Sequence, residues 1–126
     1  MILASVLRAR DIGKSRLNLG YVEDPLQIGA RKWSLDSKVE PHQHLEIDRH
    51  TKATQEAWIV VSGSLSCRLF DVDGQIVTEV TLNSGDCILL RHGGHELNCL
   101  EENTLMYEIK NGPYFGTERD KQPLLN

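Results

Sequence analysis

A chain of 126 residues, 40% hydrophobic and 25% charged, holds enough apolar material for one globular core and little more, so a single domain over 1–126 is expected. Fourteen Lys and Arg against eighteen Asp and Glu leave a net charge of −4, with no block of like charge and no basic stripe among aromatics. That balance argues against nucleic acid or an anionic membrane as partner.

The longest apolar run, 57–61, falls far short of the roughly 20 residues a membrane helix requires. The apolar start, 1–7, has no basic region before it and meets Arg8, Arg10 and Asp11 with no small-residue cleavage pattern, so a cytoplasmic protein is expected. Residues 1–10 read as a strand or a short helix, and 11–25 show no clear period. From Gly29 onward Gly, Pro, Asn and Asp recur at short intervals between segments rich in Val, Ile, Leu and Thr, the pattern of an all-β sandwich or barrel.

Strands are expected over 30–35, 57–62, 65–70, 75–82, 87–90, 96–100 and 104–110, within a core of about 29–110. Asp73-Gly74 is the clearest hairpin signal, because a tight primed turn requires positive φ and Gly adopts it freely. A turn-rich exit, 111–116, leads to a polar tail. Cys67, Cys87 and Cys99 are odd in number, form no C-x-x-C pair and sit among apolar residues, so they read as buried thiols rather than disulfides or zinc ligands.

The chemistry is concentrated from Pro41-His42-Gln43-His44 onward. In an extended segment His42 and His44 project to one side, and their imidazoles can converge on one ion. Glu56 opens an apolar segment that Gly63 closes, and His95 follows an apolar segment begun by Gly85-Asp86. Three imidazoles and a carboxylate form a plausible donor set for a divalent first-row metal, with positions left for substrate or oxygen.

In these residues the chain resembles the cupin superfamily. His42-x-His44, Glu56 and Gly63 match its first motif, and Gly85-Asp86 with His95 match its second. The match has departures: Asp36 stands for the leading Gly, eleven residues rather than a few separate His44 from Glu56, Arg91 replaces a Pro, and His95 lies one position early. The resemblance implies a cupin-type antiparallel β-barrel (double-stranded β-helix or jelly roll) holding one divalent ion, Fe, Mn, Zn or Ni, on His42, His44, Glu56 and His95. It also implies a homodimer, and the unusual separation of His44 from Glu56 implies a loop over 45–55 at the barrel mouth.

His50 rivals the other histidines as a ligand, having the same parity as His42 and His44, while His92 reads as a rim residue. If Glu56 points inward so does Trp58, which then lines the pocket, while Arg49 with Lys52, Arg31 and Arg68 offers an anion site. Tyr107 shares parity with Leu105 and Ile109 and is expected inward; Glu46, Glu108 and Tyr107 are the candidate acids and bases. The resemblance implies a small polar ligand, with a sugar or sugar-phosphate isomerase or epimerase as the leading chemistry. A mononuclear iron dioxygenase and a non-catalytic binding or structural module are the alternatives.

Overall fold

The computed structural model describes residues 1–124; the last two residues of the expected domain, 125 and 126, lie outside the described residues. Nine strands follow one another: β1 (Ala4–Leu7), β2 (Leu17–Leu19), β3 (Ile28–Ala30), β4 (Glu56–Ser62), β5 (Ser64–Phe70), β6 (Ile76–Asn83), β7 (Cys87–Leu90), β8 (Gly94–Cys99) and β9 (Leu105–Lys110). A single helical turn, α1 (Thr117–Asp120), lies near the C-terminal end.

All described pairing is antiparallel. One sheet has the order β1-β7-β4-β9, a second β6-β5-β8, and a small third β2-β3. The fold is all-β, but no sheet closes into a barrel among the described residues. The physical reason is the stretch 31–54, expected to hold most of the 30–35 strand, the extended His42-x-His44 segment and a mouth loop: it pairs with no strand, and every residue in it is exposed. The strand expected over 30–35 shrinks accordingly to β3, which ends at Ala30.

Strand alternation builds three layers. On β4, Trp58 and Val60 pack into the core between the two larger sheets, beside Leu65, Cys67, Leu69, Leu82, Ile88 and Leu90. Ala57 and Ile59 face the other way and join Leu7, Cys87 and Leu89 beneath the β2-β3 cover, where Leu19, Leu26 and Ile28 meet them. Both faces of β7 are therefore buried, consistent with the unbroken apolar run Cys87–Leu90.

The turns follow from local chemistry. Asp71 Oδ1 accepts the backbone N–H groups of Asp73 and Gln75, each at 2.9 Å, which fixes the β5–β6 hairpin at the expected place; in place of a two-residue primed turn it is a longer turn over 71–74 with positive φ at Gly74 and not at Asp73. Gly63 joins β4 to β5 at φ +90°, and a side chain there would strike Thr104, so this motif glycine is required by backbone geometry and close packing. Asp86 accepts Asn83 N–H and Ala9 N–H at 2.9 Å and pairs with Arg8, tying the N-terminal strand to the turn before β7.

A buried clasp fastens the cover. Arg91 donates Nη2 to Asp24 Oδ1 at 2.8 Å and Nε to Asp24 Oδ2 at 3.1 Å, stacks on the Tyr21 ring, and shares Asp24 with Gln55 Nε2. Its hydrogen bonds hold Asp24 down at about 2, in spite of burial.

Candidate functional site

The two larger sheets are packed shut around Val60, Leu82 and Ile88 and part at the Glu56 end, leaving an open cavity of about 1170 Å³. That is ample for a small ligand. The four-stranded sheet contributes Glu56 and Trp58 from β4 with Glu108 and Lys110 from β9; the three-stranded sheet contributes His95 from β8; the C-terminal stretch 118–124 forms a further wall. The register explains the grouping: Glu56 lies opposite Lys110 and Trp58 opposite Glu108, so all four side chains issue on the same face.

Glu56 is the hub. Its Oε2 lies 3.0 Å from His95 Nε2 on the facing sheet, and Glu108 beside it shares a hydrogen bond with it. Burial pushes the Glu56 carboxyl up, but the hydrogen bonds from His95 and Glu108 and the His95 charge outweigh it and bring Glu56 down to about 2. Glu108 moves the opposite way: the hydrogen bond to Glu56, burial and the Glu56 charge all raise it. Two neighbouring carboxyls are thereby split into an ionised group and one that retains its proton to higher pH.

Lys110 donates Nζ to Asp120 Oδ2 at 2.9 Å, which raises its own pKa and anchors α1 to the cavity wall. Cys67 and Cys87 are buried thiols pushed up to about 11 by desolvation, so neither is a nucleophile at neutral pH. Cys99, expected to be buried, is exposed and bonds through Sγ to the Glu101 carbonyl.

Of the expected metal ligands, Glu56 and His95 meet, while His42 and His44 do not reach them. Both histidines lie on the exposed stretch 31–54, their rings 5.3 Å apart, with His42 Nδ1 at 2.9 Å from the Glu40 carbonyl. His50 and Glu46 are exposed on the same stretch. Among the described residues no group of three or more His, Cys, Asp or Glu side chains is placed to hold an ion, whereas catalytic metal sites use about three protein ligands.

The remaining expected residues divide. Trp58 is half-buried and lines the cavity beside Glu56. Arg49 is exposed and bonds to the Ile47 carbonyl, away from the cavity; Lys52 borders a separate small hollow. Tyr107 points outward, 59% exposed, because its partner in register is Ile59 on the outer face of β4. The expected inward apolar parity of β9 is thus reversed, with Met106, Glu108 and Lys110 inside.

The inward Lys110 and the Arg91–Asp24 clasp went unpredicted. Period-two parity from Glu108 points to Lys110, but nothing in the sequence pairs Asp24 with Arg91. No family model, curated protein or solved structure matches this chain. Among the described residues no helix is long and apolar enough to cross a membrane.

Proposed function

We propose that the cavity binds a small polar hydroxy-carbonyl compound and moves a proton on it, an isomerase- or epimerase-type reaction. The observation that carries this reading is Glu56, joined across the two sheets to His95 at 3.0 Å and along the sheet to Glu108, at the floor of an open cavity. Carboxyls pushed apart in pKa beside an imidazole supply an acid and a base at one place.

In this scheme Glu56 accepts the His95 Nε2–H and holds the ring, leaving Nδ1 as the base. His95 Nδ1 takes the proton from the carbon beside the carbonyl while Glu108 gives its proton to the carbonyl oxygen, forming an enediol. Return of the proton from His95 to the former carbonyl carbon, while the neighbouring enediol hydroxyl gives its proton to Glu108, isomerises the compound; after the enediol turns over, return to the opposite face of the original carbon, while the first hydroxyl gives its proton back to Glu108, epimerises it. The cupin resemblance supports the same location, through Glu56, Gly63, Gly85-Asp86 and His95. A resident divalent ion would require His42 and His44 to leave the exposed stretch and join Glu56 and His95.

Three free thiols fit a reducing cytoplasm. A homodimer is supported by the outer face of β9, where Leu105, Tyr107 and Ile109 are exposed on a strand whose far edge is unpaired among the described residues. The test of the chemistry is deuterium incorporation: in D₂O, aldoses, ketoses and their phosphates are offered singly, and wild type should label one of them beside the carbonyl while Glu108→Gln does not. A ligand that raises the melting temperature and is never labelled overturns the proton transfer and leaves a binding module.

A further inference from the structure

After β9 the chain makes no strand pairing among the described residues, yet it returns along the cavity as α1 and the residues up to Leu124. Side chains hold it there. Leu124 lies over Gly94, where a Cβ would come within 2.6 Å of Leu124 Cδ1, and Lys110 Nζ bonds to Asp120 Oδ2 at 2.9 Å. The Lys110 and Asp120 side chains are only 25% and 16% exposed. A half-buried ion pair thus joins a strand to a segment with no backbone ladder of its own. Such a pair separates without unzipping a sheet.

Glu56 and Glu108 act on Lys110 through their charge, but among the described residues Asp120 is the carboxylate in contact with it. Glu56 is bound to His95, and Glu108 shares its hydrogen bond with Glu56. Asp120 is therefore the direct anionic partner of the half-buried ammonium, which also lies 4.8 Å from the centre of the Tyr114 ring. Lys110 and Glu108 are two apart on one strand face, about 7 Å in rise, the length of a few carbon atoms. An anion on Lys110 thus places a carbonyl a few carbons away beside Glu108 and His95.

We infer that Lys110 is the binding point for an anionic group on the ligand, a phosphate or a carboxylate, and that the Asp120 carboxylate occupies this place until the ligand displaces it. The inference rests on the reading of the cavity as a ligand site and adds the ligand class: a hydroxy-carbonyl compound with an anionic end. Lys121, whose charge reaches Glu108, follows Asp120 directly and lines the same wall, so displacement of Asp120 leaves a second cation at hand. Ligand entry and release of α1 become one event.

The test is calorimetric titration of the full chain with sodium phosphate, and separately sodium acetate, at ionic strength matched with sodium chloride. Asp120→Asn removes the competing charge and should bind one of these anions at least tenfold more tightly than wild type. Adding Lys110→Met to Asp120→Asn should abolish that gain. Phosphate or acetate as the favoured anion distinguishes the two ligand sources.

Unchanged affinity in Asp120→Asn overturns the inference and leaves the Lys110–Asp120 pair as a tether of α1. So does a gain that survives Lys110→Met, since the anion then binds elsewhere. Circular dichroism confirms that each variant is folded. Anion binding that behaves as expected in a protein that labels no substrate retains the subsite and removes only the proton transfer, so the two readings fail separately.

Discussion

The two ends of the sandwich are built from the same strands and do opposite things. At one end of β4, Val60 is sealed against Leu82 and Ile88; at the other, Glu56 faces His95, Glu108 and an open cavity. The closed end removes apolar surface from water, while the open end gathers charges whose desolvation opposes folding. Stability and chemistry are thus separated along one strand by a few residues, and variants at the two ends should sort cleanly into those two classes.

The largest effect should come from the closed end. Ile88 is fully buried, and Ile88→Ala should cost about 4 kcal/mol through lost burial and a residual cavity, read as a lowered urea midpoint. At the margin between the ends, Asp24→Ala leaves Arg91 charged and buried without its partner, at a cost of about 3 kcal/mol. At the open end, Glu56→Gln should cost on the order of 2 kcal/mol, less than Ile88→Ala, yet it should remove at least nine-tenths of any proton-transfer activity because His95 loses its fixed orientation. A Glu56→Gln loss as large as that of Ile88→Ala would break the division between the ends.

Acid sharpens the same comparison. Asp24 sits at about 2 in the folded protein against an ordinary 3.8, and Glu56 at about 2 against 4.5, so both bind protons less readily when folded. Their contribution is complete above the ordinary values and disappears as pH falls through the folded ones. Stability should therefore fall between about pH 4 and pH 2, by on the order of 2 kcal/mol for Asp24 alone. Asp24→Asn should flatten its share of the slope in urea unfolding followed over that range, and an unchanged slope would detach Asp24 from acid sensitivity.

Where sequence reading succeeded and where it failed has the same physical basis. The hairpin at Asp73-Gly74 and the strand Cys87–Leu90 were legible because a turn and a doubly buried strand are stated in neighbouring residues. Motif spacing led to Glu56 and His95 as two of four ligands on one ion, and the two side chains meet each other directly. Tyr107 was assigned the wrong face because β9 is apolar on the side away from the cavity and charged on the side toward it. Assigning apolar residues to the interior fails for a strand that lines a polar cavity. Trp33 and Leu35 suggest a strand over 30–35 by composition, but pairing requires a partner, and no local sequence reports its absence.

The smallest expected effect belongs to that unpaired stretch, and it is the most informative about the metal. Residues 31–54 are exposed throughout, so replacing 33–50 by a Gly/Ser segment of equal length should change the unfolding free energy by less than about 0.5 kcal/mol. His44→Ala should likewise leave the metal content of the purified protein unchanged, since His44 stands apart from Glu56 and His95. Measured as metal per chain, a loss in His44→Ala would show that the stretch folds over the cavity and completes a donor set there. A stability loss well above 0.5 kcal/mol in the Gly/Ser variant would point to the same closure independently, because folding over the cavity would bury Leu45 and Ile47, which here stand in water.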